Sequence, residues 1–198
     1  MAGPSGRDAT LTHIIESLIA EKTAKRLDSL ESRVARLAEN RSTPHGLTLI
    51  VFSGEMDKAL TAFTLATGAA AMGLQVSMFF TFWGLTVLKR RTVFRGKSLI
   101  HKALTAMLPA GPSRLGTSKM NLCGFGPRLF SCLMRRHGVQ QLEGLIGLAR
   151  DAKVRMVVCQ TSMELMGITH AELVDGIDCG GVATCLDAGI ESGLMLFI

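Results

Sequence analysis

Tyrosine is absent from this chain, tryptophan occurs once, and aromatic residues make up only 5% of its 198 positions. The core must therefore be aliphatic, filled by Leu, Val, Ile, Ala and the 11 methionines. The same scarcity leaves no aromatic-rich surface for stacking bases, and no zinc-finger spacing is present, which argues against nucleic acid as a partner. No CxxC occurs among the five cysteines, so a metal site built from Cys123, Cys159 and Cys179 lacks its usual signature. No GxGxxG follows a strand and no P-loop is present; Gly124-Phe-Gly126 is too short to cradle a nucleotide phosphate. The amino terminus, MAGPSGRDAT, lacks the apolar segment of a secretory signal, and an odd cysteine count does not complete a disulfide framework. Both point to free thiols in a reducing cytoplasm.

Charge is missing in two places. No charged residue occurs between Lys58 and Lys89, a gap of thirty residues followed by a basic Lys89-Arg90-Arg91 flank. Such a stretch is long enough to cross a bilayer, so membrane association is one reading. Gly73 and Gln75 interrupt it at its middle, and its two halves differ in character. Ala59 to Met72 is rich in Ala, Thr and Leu and predicts a helix; Val76 to Phe80 carries bulky side chains and predicts a buried strand. On that reading Phe79 and Phe80 lie against protein, and Trp83 sits at the strand's carboxyl end near Cys159. Acidic residues are absent from 89–128, where nine basic residues lie. That region fits an acidic protein partner, an anion or lipid headgroups, or is simply a solvated surface.

What is present alternates. Residues 1–46 form a charged start, a long helix from Thr10 to about Asn40 and a linker. Leu11, Ile14 and Leu18, and later Leu27, Leu30, Val34 and Leu37, follow three-and-four spacing in two halves that are out of phase around Glu21–Arg26, as in a short coiled-coil arm or a helix packed on its own domain. Residues 47–198 form the globular domain. Leu47 to Phe52 is an almost continuous apolar strand; Ser53 is placed to cap the next helix, with Glu55 and Asp57 in its first turn. A second strand spans Gln75 to Thr81, and a short helix Leu85 to Arg90. Residues 92–126 read as a long irregular segment, followed by helices at 127–136 and 140–152. A third strand ends at Cys159. Thr161-Ser-Met-Glu164 and Thr169-His-Ala-Glu172 match capping boxes, each opening a short helix. Val182 to Ser192 reads as helix and Leu194 to Ile198 as a last strand. Strands alternating with helices predict an α/β domain with a parallel sheet flanked by helices, preceded by an N-terminal helical arm.

Cys159 would sit where a strand's carboxyl end meets a helix, the place where open α/β sheets gather reactive groups. Backbone N–H groups there favour a thiolate, the form that attacks sulfur. A small buried apolar residue is the other reading. Cys123 lies in Lys119-Met-Asn-Leu-Cys-Gly-Phe-Gly126, a glycine-containing loop with basic residues around it. The pair suits persulfide relay or disulfide exchange, although spacing does not show that the two meet. Cys132 and Cys185 read as packing residues, and Asp178 as a cap for the helix carrying Cys185. The histidines, His45, His101, His137 and His170 among them, show no triad spacing and read as surface residues.

Four ordered blocks, Ser53–Leu60, Met78–Gly84, Lys119–Cys123 and Cys159–Gly167, resemble the DsrE/DsrF-like sulfur-relay family, in particular its longer stand-alone branch often labelled peroxiredoxin-like. The resemblance covers about 47–198. It implies a flavodoxin-like sheet, a homo-oligomer, and a cysteine that carries sulfane sulfur as a persulfide. Cys159 matches that position and Cys123 the cysteine of the Lys-Met block. Rhodanese-like and TusA-like sulfur carrier proteins are the implied partners, and the chemistry requires neither metal nor organic cofactor. The expected function is a sulfurtransferase or persulfide carrier. A membrane-associated scaffold, or a redox sensor toggling Cys123 and Cys159, are the alternatives.

Overall fold

The computed structural model describes residues 6–39, 45–121 and 124–198. The chain divides into two units, Met1–Thr43 and Pro44–Ile198. In the first, α1 (Gly6–Glu39) is a single helix of 34 residues, roughly 51 Å long at 1.5 Å per residue. It begins four residues before the expected start. Ile19, Leu27, Leu30 and Val34 are all at least half exposed. The side chains of Leu11, Ile14, Leu18 and Leu37 lie outside the described residues.

The second unit is built on five parallel strands, β1 (Gly46–Val51), β2 (Gln75–Phe80), β3 (Arg155–Cys159), β4 (Asp178–Gly180) and β5 (Met195–Phe197), in the order β4-β3-β2-β1-β5. The helices are α2 (Met56–Ala71), α3 (Leu99–Met107), α4 (Phe125–Arg136), α5 (Leu142–Asp151), α6 (Gln160–Met166) and α7 (Val182–Ser192). In its layers, a five-stranded parallel sheet with helices on both faces, the domain is flavodoxin-like.

Strand register sorts the side chains. Leu49, Met78 and Met156 stand in line across three strands, as do Val51, Phe80 and Val158. With Ala59, Ala62, Phe63 and Ala66 of α2, and Leu145, Ile146 and Ala149 of α5, they form the main core. The alanines let α2 approach the sheet closely, and each large side chain buried here contributes about 1.5–3 kcal/mol. The opposite face carries Thr48, Ile50, Phe79, Val157 and Cys159 and is met by α7. There Thr48 Oγ1 donates to the Ala188 carbonyl at 2.9 Å, and Phe79, Val157, Cys159 and Cys185 form a second, small buried cluster.

The uncharged stretch is a helix and a strand, as its Gly73–Gln75 break predicted: α2 ends at Ala71 and β2 starts at Gln75. Phe79 and Phe80 are buried, whereas Trp83 is exposed. Among the described residues no helix is long and apolar enough to cross a membrane.

Several boundaries differ from expectation. Ser53 does not cap α2. Its Oγ accepts from Glu55 N–H at 3.2 Å and donates to the Glu55 carboxylate at 2.9 Å, and Glu55 occupies the N-cap position. The short helix expected from Leu85 is a 3₁₀ segment, Phe82–Leu88. It is closed against β1 by Gly84, whose N–H donates to the Phe52 carbonyl at 2.8 Å; any side chain at Gly84 would overlap the Val51 carbonyl. The segment 92–126 contains α3, started by Ser98 Oγ accepting from His101 N–H at 3.3 Å. Asp178 does not cap α7. It lies in β4 and pairs with Arg155 at 3.2 Å, while Gly181 is the N-cap.

Candidate functional site

Cys159 ends β3, flanked in the sheet by β2 and by Gly180 of β4. The Thr161–Glu164 capping box does not form. The helix starts earlier, at Gln160, so Cys159 itself takes the N-cap position, and the Glu164 carboxylate accepts from Gln160 Nε2 at 3.0 Å instead. This places Thr161 and Ser162 at the second and third helical positions, whose N–H groups point back at an N-cap side chain. Thr81, immediately after β2, brings a hydroxyl 2.9 Å from Ser162 Oγ.

Electrostatics follow from that arrangement. Burial pushes the Cys159 thiol up. The Ser162 hydroxyl and N–H, the Thr81 hydroxyl and the Thr161 N–H pull it down, and together they prevail, holding it below the ordinary thiol value. Among the described residues the sulfur makes no cap hydrogen bond, but these neighbouring polar groups favour a thiolate over a thiol. Cys159 is nonetheless only 6% exposed. Reaction there requires a partner atom to reach a nearly buried sulfur.

Next to the site, Phe82 has φ +45, a left-handed conformation that bulky residues rarely adopt and that clusters at functional sites. Its ring packs on Phe52 with centroids 5.6 Å apart, and Phe52 in turn stacks on Phe197 at 5.9 Å. All three rings are exposed.

The remaining cysteines separate clearly. Cys123 lies outside the described residues. Its neighbours Asn121 and Gly124 help line a cavity of about 1020 Å³ shared with Met56, Arg114, Arg128 and Ser131. Cys179 pairs in register with Val158, so it stands on the main-core face, opposite to Cys159, where its Sγ lies 3.8 Å from Met163 Sδ. A metal site joining Cys159 and Cys179 is thereby disfavoured. Cys132 is exposed, contrary to the packing expected of it, on a helix that also exposes Phe125, Leu129, Phe130 and Leu133. Cys185 is buried as expected. Its place in one cluster with Cys159 was missed, because residue spacing does not reveal which strand a later helix crosses.

The basic region is less of a surface than its composition suggested. Lys89 and Glu172 are fully buried, with Lys89 Nζ 3.9 Å from the carboxylate; Lys97, nearly buried, reaches it at 2.7 Å. The Thr169 capping box forms, and Glu172 accepts from Thr169 N–H at 2.9 Å and from Val93 N–H at 3.1 Å. Arg90 pairs with Asp175 at 2.6 Å. Arg91, Arg95, Lys102, Arg114, Lys119 and Arg128 remain toward solvent.

A family profile matches residues 44–197. The chain belongs to the DsrE/DsrF/DrsH-like family. Among curated relatives, the uncharacterized protein YrkE of Bacillus subtilis (strain 168) is 39% identical over 152 residues, covering 76% of this chain and 95% of that protein. The sulfur carrier protein DsrE2 of Allochromatium vinosum is 31% identical over 156 residues, covering 77% of this chain and 97% of that protein. Among solved structures, the ychN protein of E. coli superposes with a TM-score of 0.48 at 11% identity, covering 78% of this chain and 99% of that one.

Proposed function

We propose that this protein is a sulfane-sulfur carrier or sulfurtransferase in a cytoplasmic sulfur-relay pathway, with Cys159 as the atom that holds the sulfur. The observation that carries the reading is the placement of Cys159 at the carboxyl end of β3 and the N-cap of α6, with Thr81 and Ser162 beside it, in a DsrE-like chain with a relative named as a sulfur carrier. The Cys159 thiolate attacks the outer sulfur of a donor persulfide. The donor thiolate leaves, and Cys159 keeps the sulfur as a persulfide. An acceptor thiolate then repeats the exchange in the forward direction, with no net redox change. The deep setting slows exchange of the loaded sulfur with bulk thiols relative to exchange with a protein that fits the site.

Rhodanese-like donors and TusA-like acceptors are the proposed partners. Exposed basic residues such as Arg95, Lys102 and Lys119 favour an acidic face on them by long-range attraction. Cys123 is assigned the onward transfer of sulfur, and the apolar stripe of α1 a homo-oligomer contact. The scaffold and redox-sensor alternatives gain no observation of their own.

The test is transfer of labelled sulfur from a preloaded full-length chain to a TusA-like acceptor. The wild type should deliver it and Cys159→Ser should not. Cys123→Ser should load normally but deliver more slowly. Delivery by Cys159→Ser at the wild-type rate would reject the assignment.

A further inference from the structure

Cys185 is the buried nucleophilic group that this mechanism leaves unused, and it lies beside the site. Gly180 is the register partner of Cys159. Gly181 caps α7, and Cys185 N–H donates to the Gly181 carbonyl at 3.3 Å, which places Cys185 one turn into the helix. The first turn of α7 thus sits over the carboxyl end of β3. Gly180 allows that seating: a Cβ there would press on Val157 and Thr184. Cys159 and Cys185 are each 6% exposed and share one small cluster with Phe79 and Val157, apart from the main core. Burial pushes the Cys185 thiol up, and a negative charge on Cys159 pushes it further in the same direction, so the two sulfurs feel one another.

We propose that Cys185 is a resolving thiol, which closes a disulfide with a loaded Cys159 and discharges the sulfur as hydrogen sulfide when no acceptor takes it. The inference rests on the persulfide reading for its sulfur. The Cys185 thiolate attacks Cys159 Sγ. A Cys159–Cys185 bond forms, the bond between Cys159 Sγ and the outer sulfur breaks, and hydrosulfide leaves with the electron pair and takes up the proton lost by Cys185. The sulfane sulfur is reduced to sulfide while two cysteine sulfurs are oxidised to a disulfide, so no outside oxidant enters. Two equivalents of a small-thiol reductant return the pair to dithiol. Because Cys185 stays mostly protonated at neutral pH, this discharge is slow, and an acceptor with an accessible thiolate is served first.

The experiment uses the full chain with Cys123→Ser, Cys132→Ser and Cys179→Ser combined, which removes the competing thiols. The protein is loaded with inorganic polysulfide, desalted, and followed by sulfide release, intact mass and non-reducing peptide mapping. In parallel, unloaded protein is treated with the thiol oxidant diamide. Each loaded chain is expected to release one sulfide, to end ~2 Da below the reduced mass as two thiol protons are lost, and to yield a peptide linking Cys159 to Cys185. Cys185→Ala should lengthen the persulfide half-life roughly tenfold or more. Diamide should give the same linked peptide. The mapping needs no variant at Cys185, so a folding defect there does not obscure it. Absence of the linked peptide with diamide, or a loaded chain that never forms it, overturns the proposal. Failure to load at all, with the diamide linkage present, rejects the persulfide reading and leaves the thiol pair standing.

Discussion

Replacing Glu172 by glutamine should be among the most damaging single changes in the domain. The side chain keeps its shape but loses its charge. In the wild type that charge faces Lys97 Nζ at 2.7 Å and Lys89 Nζ at 3.9 Å, with all three side chains buried or nearly so. Removing the acid from a buried pair leaves ammonium groups uncompensated, at a cost of about 3–5 kcal/mol. A loss of about 4 kcal/mol, at a urea m-value of about 2 kcal/mol per molar, lowers the unfolding midpoint by ~2 M. Lys89 predicts the opposite sign. Its Nζ has no hydrogen-bond partner among the described residues, and burial holds its pKa below the ordinary lysine value. Lys89→Met should therefore be neutral or stabilising by about 1–4 kcal/mol, since Glu172 keeps Lys97 and its backbone donors. Urea titrations of both variants, followed by circular dichroism, provide the assay. A midpoint shift under ~0.5 M in Glu172→Gln, or equal losses in the two variants, would refute the reasoning. The pH dependence adds a check. Burial raises the Glu172 pKa, but Lys97 and the Thr169 and Val93 N–H groups lower it further, so it lies below the ordinary 4.5. Its contribution is present above that ordinary value and is lost as pH falls through the folded one. Glu172→Gln should have a correspondingly flatter acid limb.

Ser162→Ala should move the pH profile of Cys159 alkylation upward, because the hydroxyl and its link to Thr81 help hold the thiol pKa down; an unmoved profile would assign the shift to the backbone alone. Removal of residues 1–45 should reduce the assembly mass in light scattering while circular dichroism of the remaining domain still shows a folded protein, since Ile19, Leu27, Leu30 and Val34 are at least half exposed. An unchanged mass would exclude α1 from self-association.

Much of the sheet was legible because buried parallel strands are apolar on both faces. Leu47–Val51, Val76–Phe80 and Met156–Cys159 stand out for that reason, and the Gly73–Gln75 break divides the uncharged stretch correctly. Cys159 was placed at a strand end, but its cap was not. The Thr161–Glu164 pattern suggested a start two residues late, and a cysteine is not among the residues from which caps are read. β4 escaped notice because it has only three residues, one of them glycine, and α3 because Ser98 caps it without a matching acid three positions on. The basic run looked like surface because its buried counter-charge, Glu172, lies 75 positions from Lys97. Charge patterns in sequence reveal composition, whereas the pairing that buries a lysine depends on tertiary contacts. The place of Cys185 in one cluster with Cys159 has the same origin, since it follows from how α7 packs on the sheet.

The central claim is that Cys159 holds the sulfur, and intact mass spectrometry of the full chain after incubation with thiosulfate and a rhodanese tests it most directly. The account predicts a gain of ~32 Da, one sulfur atom on a low-pKa thiolate, in the wild type and in Cys132→Ser and Cys179→Ser, with none in Cys159→Ser. Loading of Cys159→Ser to the wild-type extent would contradict it.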